Sequence, residues 1–228
     1  MKKQILVGLI ALAAGISQAH AAIATNNLTG NVSFDGWENL RAGTLTTAQL
    51  TAGFGLNEAG SGDALFTRTS GAHYPAGSSL YSFSVDSTFS VSDTTAVSGL
   101  ETVVFSIKTW LNGDAWSTAA PTLNYNGGSQ SLAANLTGSK LDGTIDFGGP
   151  IDLYTYTFQW DLTGLGINNF NLNWGQLVHT GVLALQLEQS DTFTASAEVA
   201  AVPIPAAAWL FGSGLLGLAG VSRRRKAA

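Results

Sequence analysis

Apolar and polar side chains alternate with a period of two through most of the middle of this chain. Tyr81, Phe83 and Val85 alternate with serines, and Val103, Phe105 and Ile107 alternate with Val104, Ser106 and Lys108. Tyr154, Tyr156, Phe158 and Trp160 are separated by Thr155, Thr157 and Gln159, and Leu183, Leu185 and Leu187 form another set. The stretch Asn169–Trp174 sets three apolar groups against three amides. Period two puts successive side chains on opposite faces of a strand, so each stretch predicts a half-buried β-strand. Further strands are expected near 28–34, 44–51, 64–69, 122–125, 143–147 and 192–197, with residues 40–50 also able to form a short helical turn.

Turn chemistry supports this reading. Asn112-Gly113-Asp114, Asn126-Gly127-Gly128, Asp142-Gly143 and Gly148-Gly149-Pro150 fall between the strands, where positive φ or a fixed φ reverses the chain. Short strands, Gly and Asn turns and abundant Ser and Thr predict an all-β fold, a single antiparallel β-sandwich of jelly-roll-like form. No repeat of fixed length and no compositional break divides it.

The two ends follow other rules. Lys2 and Lys3 precede an apolar stretch from Ile5 to Ile16, and Ala19-His20-Ala21 supplies the small residues that signal peptidase reads. Residues 1–21 are therefore expected to be a secretory signal peptide, with the sandwich over 22–198 and a separate C-terminal segment over 199–228. In that segment Val202-Pro203-Ile204-Pro205 precedes an uncharged apolar run, and Arg223-Arg224-Arg225-Lys226 follows it. Ile204 to Ser222 is 19 residues without a charge, which as a helix reaches roughly 28 Å, about the hydrocarbon thickness of a bilayer. Pro203 and Pro205 prevent the helix from extending upstream, so it is expected over 205–222. The basic cluster 223–226 would orient the terminus toward the cytoplasm and everything before Val202 outside the inner membrane.

Proline motif, single span and basic tail at the extreme end resemble the PEP-CTERM sorting signal of Gram-negative bacteria. The resemblance covers about the last 25 residues. Ile204 stands where the namesake motif has Glu, as in the Val-Pro-x-Pro variants. It implies a temporary inner-membrane tether read by exosortase, a membrane cysteine protease that cuts near the proline motif. It also implies a destination at the cell surface or in an extracellular matrix, in bacteria that make exopolysaccharide.

Charge narrows the partners of the middle. All 15 acidic residues lie between Asp35 and Glu198, while only Arg41, Arg68, Lys108 and Lys140 remain of the 10 basic ones once both ends are set aside. Four minus fifteen leaves a net charge of −11, which opposes binding to nucleic acid or to anionic lipid. The chain has no cysteine, which excludes disulfides, thiol catalysis and thiolate metal sites. The core alone must hold the fold.

Candidate chemistry is sparse. His73 and His179 are far apart in sequence and belong to no metal-binding motif. No catalytic residue, cofactor or metal ligand is assigned. Asp142, Asp146 and Asp152 could meet calcium through oxygen, but their spacing matches no calcium loop. Paired carboxylates for an extracellular glycan hydrolase can come from any two strands, which leaves that class as the alternative. The favoured expectation is a non-catalytic surface or matrix protein that binds exopolysaccharide. Trp110, Trp116, Tyr154, Tyr156, Trp160 and Trp174 are more aromatics than a core requires, and indoles beside amides suit sugar rings. The expected contact loop is Trp110–Trp116, with Trp110, Asn112, Asp114 and Trp116 facing the glycan.

Overall fold

The structure, a computed structural model, describes residues 23–58, 60–146 and 148–195. The signal peptide, the proline motif Val202–Pro205, the apolar span 205–222 and the basic cluster Arg223–Lys226 lie outside these residues. No helix of the described residues is long and apolar enough to cross a membrane.

Among the described residues, twelve strands and one short helix follow in order. They are β1 (Val32–Trp37), α1 (Thr47–Ala52), β2 (Leu65–Ser70), β3 (Tyr74–Pro75), β4 (Leu80–Tyr81), β5 (Ser87–Asp93) and β6 (Thr102–Trp110). Then come β7 (Thr122–Tyr125), β8 (Leu132–Ala133), β9 (Asn135–Asp146), β10 (Pro150–Asp161), β11 (Phe170–Gln176) and β12 (Gly181–Ser190). One sheet runs β3-β4-β12-β6-β10-β9, with β1 also paired to β12, and the other runs β2-β5-β11-β7-β8. Every pairing is antiparallel. The two sheets stack as an all-β sandwich, as the alternation predicts.

The core forms between them. Val103, Phe105 and Ile107 of β6 and Leu185 and Leu187 of β12 meet Phe66, Phe89, Val91, Leu123, Phe170 and Leu172 of the second sheet. Trp174 joins the layers, its ring centroid 5.0 Å from Phe105, 5.5 Å from Phe89 and 5.9 Å from Phe66. A bulge between Val182 and Ala184 turns Leu183 to the other side of the first sheet. There it packs in a second cluster with Trp110, Ile145 and Leu153. Gly181 makes room for this cluster, since a Cβ at that position would stand 2.0 Å from the Trp110 ring.

Three local expectations are corrected. Only Leu80 and Tyr81 pair as a strand, while Phe83 and Val85 are 66 % and 51 % exposed. The Ser82 hydroxyl donates to the Val85 carbonyl and accepts from the Ser84 and Val85 amides, drawing that backbone out of any ladder. Residues 47–52 form a helix rather than a strand because Thr46 and Gln49 close a capping box around its first turn. Residues 192–195 add no strand. They lie beside the N-terminal segment, with Thr194 Oγ1 2.8 Å from Thr29 Oγ1 and Asp191 Oδ1 accepting from the Asn31 amide at 2.8 Å.

Candidate functional site

The expected contact loop places its residues differently from the sequence reading. Trp110 is 2 % exposed and its indole donates to the His179 carbonyl at 3.1 Å. Trp116 is 6 % exposed. With both rings largely enclosed, the loop offers no pair of stacking indoles; of the four expected contact residues, Asn112 and Asp114 are exposed. Asn112 works as a structural anchor, donating through Nδ2 to the Val178 carbonyl at 3.0 Å, while the Leu177 amide donates to the Trp116 carbonyl at 2.9 Å.

Those anchors hold Trp116 at the rim of a different surface. Strand β10 turns Tyr154, Tyr156, Phe158 and Trp160 toward the second sheet, but β8, the short strand at that sheet's edge, has only two residues. It covers Trp160, whose indole donates to the Leu132 carbonyl at 3.1 Å. Beyond it the twelve-residue strands β9 and β10 continue uncovered. The result is a trough of about 250 Å³ lined by Trp116, Ser117, Thr118, Leu136, Tyr156 and Phe158.

Ring contacts order the trough. The Trp116 centroid lies 5.5 Å from Tyr156 and 6.1 Å from Phe158, and Tyr156 lies 6.2 Å from Tyr154. Leu136 pairs with Phe158 and Leu141 with Tyr154, so both leucines extend the same face; they are 57 % and 55 % exposed. Tyr154 and Tyr156 are half-buried, and neither hydroxyl hydrogen-bonds to the described residues. Burial, helped by the neighbouring Tyr154, pushes the Tyr156 hydroxyl above its ordinary pKa, so it remains a neutral donor and acceptor. No charged side chain lines the trough. Asp142 is engaged with two lysines, its Oδ2 2.8 Å from Lys108 Nζ and its Oδ1 3.6 Å from Lys140 Nζ. A surface of apolar rings with free hydroxyls and no charge can stack on the apolar face of a sugar and bond its hydroxyls.

Three titratable groups elsewhere, Asp35, Asp93 and His73, are enclosed. Asp35 is fully buried; its Oδ1 accepts from the Ala64 amide at 3.1 Å, and desolvation, with the charges of Asp93 and Asp63, pushes it up to about 6. Asp93 accepts from Gln189 and from the Thr95 amide. This carboxylate pair faces the core, where no glycan chain reaches it. His73 is also fully buried, with Nδ1 2.8 Å from Ser87 Oγ, and burial pushes its imidazole down to about 4. His179 is exposed and meets the Tyr81 hydroxyl at 3.0 Å. Among the described residues no three His, Asp or Glu side chains gather as a metal site. Asp146 Oδ1 instead caps the β9–β10 turn by accepting from Gly148 and Gly149 at 2.9 Å each, and Asp152 is exposed.

The chain matches no family model, no characterised protein and no solved structure.

Sequence reasoning named Tyr154, Tyr156 and Trp116 among surplus aromatics but did not join them, and it missed Leu136 and Leu141. Residues 136–141, Leu-Thr-Gly-Ser-Lys-Leu, carry no alternation: the two leucines are five apart and reach one face only because a bulge at Thr137 shifts the register.

Proposed function

We propose that this chain is an exported, exosortase-processed surface or matrix protein whose jelly-roll-like sandwich holds exopolysaccharide without acting on it chemically. The observation that carries the binding half is the uncharged trough of Trp116, Tyr154, Tyr156, Leu136 and Leu141, with two phenol hydroxyls left free to meet sugar hydroxyls. The sorting half rests on the order of proline motif, apolar span and basic tail in residues 202–226. Signal peptidase removes residues 1–21, the inner membrane holds the C-terminal span for a time, and exosortase releases the product.

Two experiments test the halves separately. Purified protein is incubated with immobilised exopolysaccharide from the producing cells, and retention is compared with that of Tyr156→Ala, which removes the central ring of the trough. Retention by the parent and its loss in the variant is the expected result; equal retention would rule out the trough. Mass spectrometry of the mature protein should find a C-terminus near Val202–Pro205. An intact Arg223–Lys226 tail on the exported form would refute processing.

A further inference from the structure

A second concavity, of about 260 Å³, opens on the outer face of the second sheet and shares Thr118 with the aromatic trough. Its floor exists because β11 carries glycine where neighbouring positions carry side chains. Gly175 faces Thr88 across the sheet, and a Cβ there would meet only Thr118 Oγ1, at 4.0 Å.

Its walls are rich in acceptors. Asp86 is exposed and uses Oδ1 to accept from the Val178 amide at 2.8 Å; its second oxygen makes no hydrogen bond to the described residues, and among these residues Asp86 has no ion pair. Gln176, the next residue along β11, turns its side chain to the other face, between the sheets, where its Nε2 donates to Thr109 and Thr180. Ser70 and Thr88 hydroxyls, 2.7 Å apart, complete the rim. Arg68, the cation that acts on nearby His73, donates its guanidinium to the His73 carbonyl.

A carboxylate oxygen without a partner beside the Ser70 and Thr88 hydroxyls suits a ligand that brings several donors on one positive group, and an ammonium has three. The net charge of −11 over residues 22–198 attracts a polycation over a longer range. Resting on the reading of the trough as a glycan site, we propose that the cleft continues over Thr118 into this acceptor pocket. The ligand is then an amino-sugar polymer with free amino groups, one sugar stacking on Tyr156 while another places its ammonium against Asp86 and the Ser70 and Thr88 hydroxyls.

The test measures binding of purified protein to three probes by calorimetry: a β-1,4-linked glucosamine pentamer, its fully N-acetylated counterpart and cellopentaose. The expected result is about tenfold tighter binding of the free-amine pentamer, weakening as salt rises. Asp86→Asn keeps the acceptor for Val178 and should erase that preference. Gly175→Leu, which fills the pocket from a strand position without steric conflict at Cβ, should erase it too. Equal binding of the two pentamers, or an unchanged preference in Asp86→Asn, overturns the pocket while the trough stands if either neutral probe binds and Tyr156→Ala abolishes it. Failure of all three probes to bind overturns both.

Discussion

Replacing Asp35 by Asn should stabilise the protein at neutral pH and expose a pH dependence that the parent conceals. Asp35 is ionised above about 6 in the folded state and above its ordinary value of 3.8 when unfolded. At 1.36 kcal/mol per pK unit, that interval is worth about 3 kcal/mol, which opposes folding at pH 7 and is regained as pH falls from 6 toward 3.8. His73 behaves oppositely. Its imidazole titrates near 4 when folded and 6.5 when unfolded, so the unfolded chain takes the proton first and about 3 kcal/mol of stability is lost as pH falls from 6.5 to 4. Between pH 4 and 6 the two contributions nearly cancel. Asparagine retains the acceptor for the Ala64 amide and removes the ionisation. Urea denaturation at pH 4, 5, 6 and 7.5 should find Asp35→Asn about equal to the parent at pH 4 and up to about 3 kcal/mol more stable at pH 7.5. A variant less stable than the parent at pH 7.5, or a difference that does not shrink toward pH 4, would refute the reasoning.

Other substitutions probe packing on both sides of the first sheet. Gly181→Ala puts a methyl where the Trp110 ring lies and should cost about 2 kcal/mol in denaturant titration, with a shift in tryptophan fluorescence. Asp142→Asn leaves Lys108, whose side chain is 3 % exposed, without its carboxylate at 2.8 Å; thermal unfolding should show a loss of about 2 kcal/mol. Ser82→Ala removes the hydroxyl that shapes residues 82–85 and should raise amide hydrogen exchange there while costing about 1 kcal/mol or less overall.

The sandwich was legible wherever alternation was reinforced by large side chains. β7, β10 and β11 fall where the pattern puts them, and Asn126 and Gly127 both adopt positive φ, closing the turn through the Gly128 amide and Tyr125 carbonyl at 2.9 Å. β5 was hidden because two of its buried positions, Ser87 and Asp93, are polar and look like loop. Helix α1 was masked by threonines, although Thr46 and Gln49 stood at capping-box spacing. The trough depends on β8 stopping after two residues while β9 and β10 run on, a mismatch between sheets that no local pattern carries. For the same reason the Trp110–Trp116 loop read as a platform: whether an indole faces water depends on what Leu177, Val178 and His179 do some sixty residues later.

The bonds joining Thr29 to Thr194 and Asn31 to Asp191 bring the beginning and the end of the sandwich to one spot. A module whose entry and exit coincide hangs from a single point, so attachment through either end presents the same surfaces outward. It can also be spliced into another polypeptide as a cassette, with its two junctions already side by side.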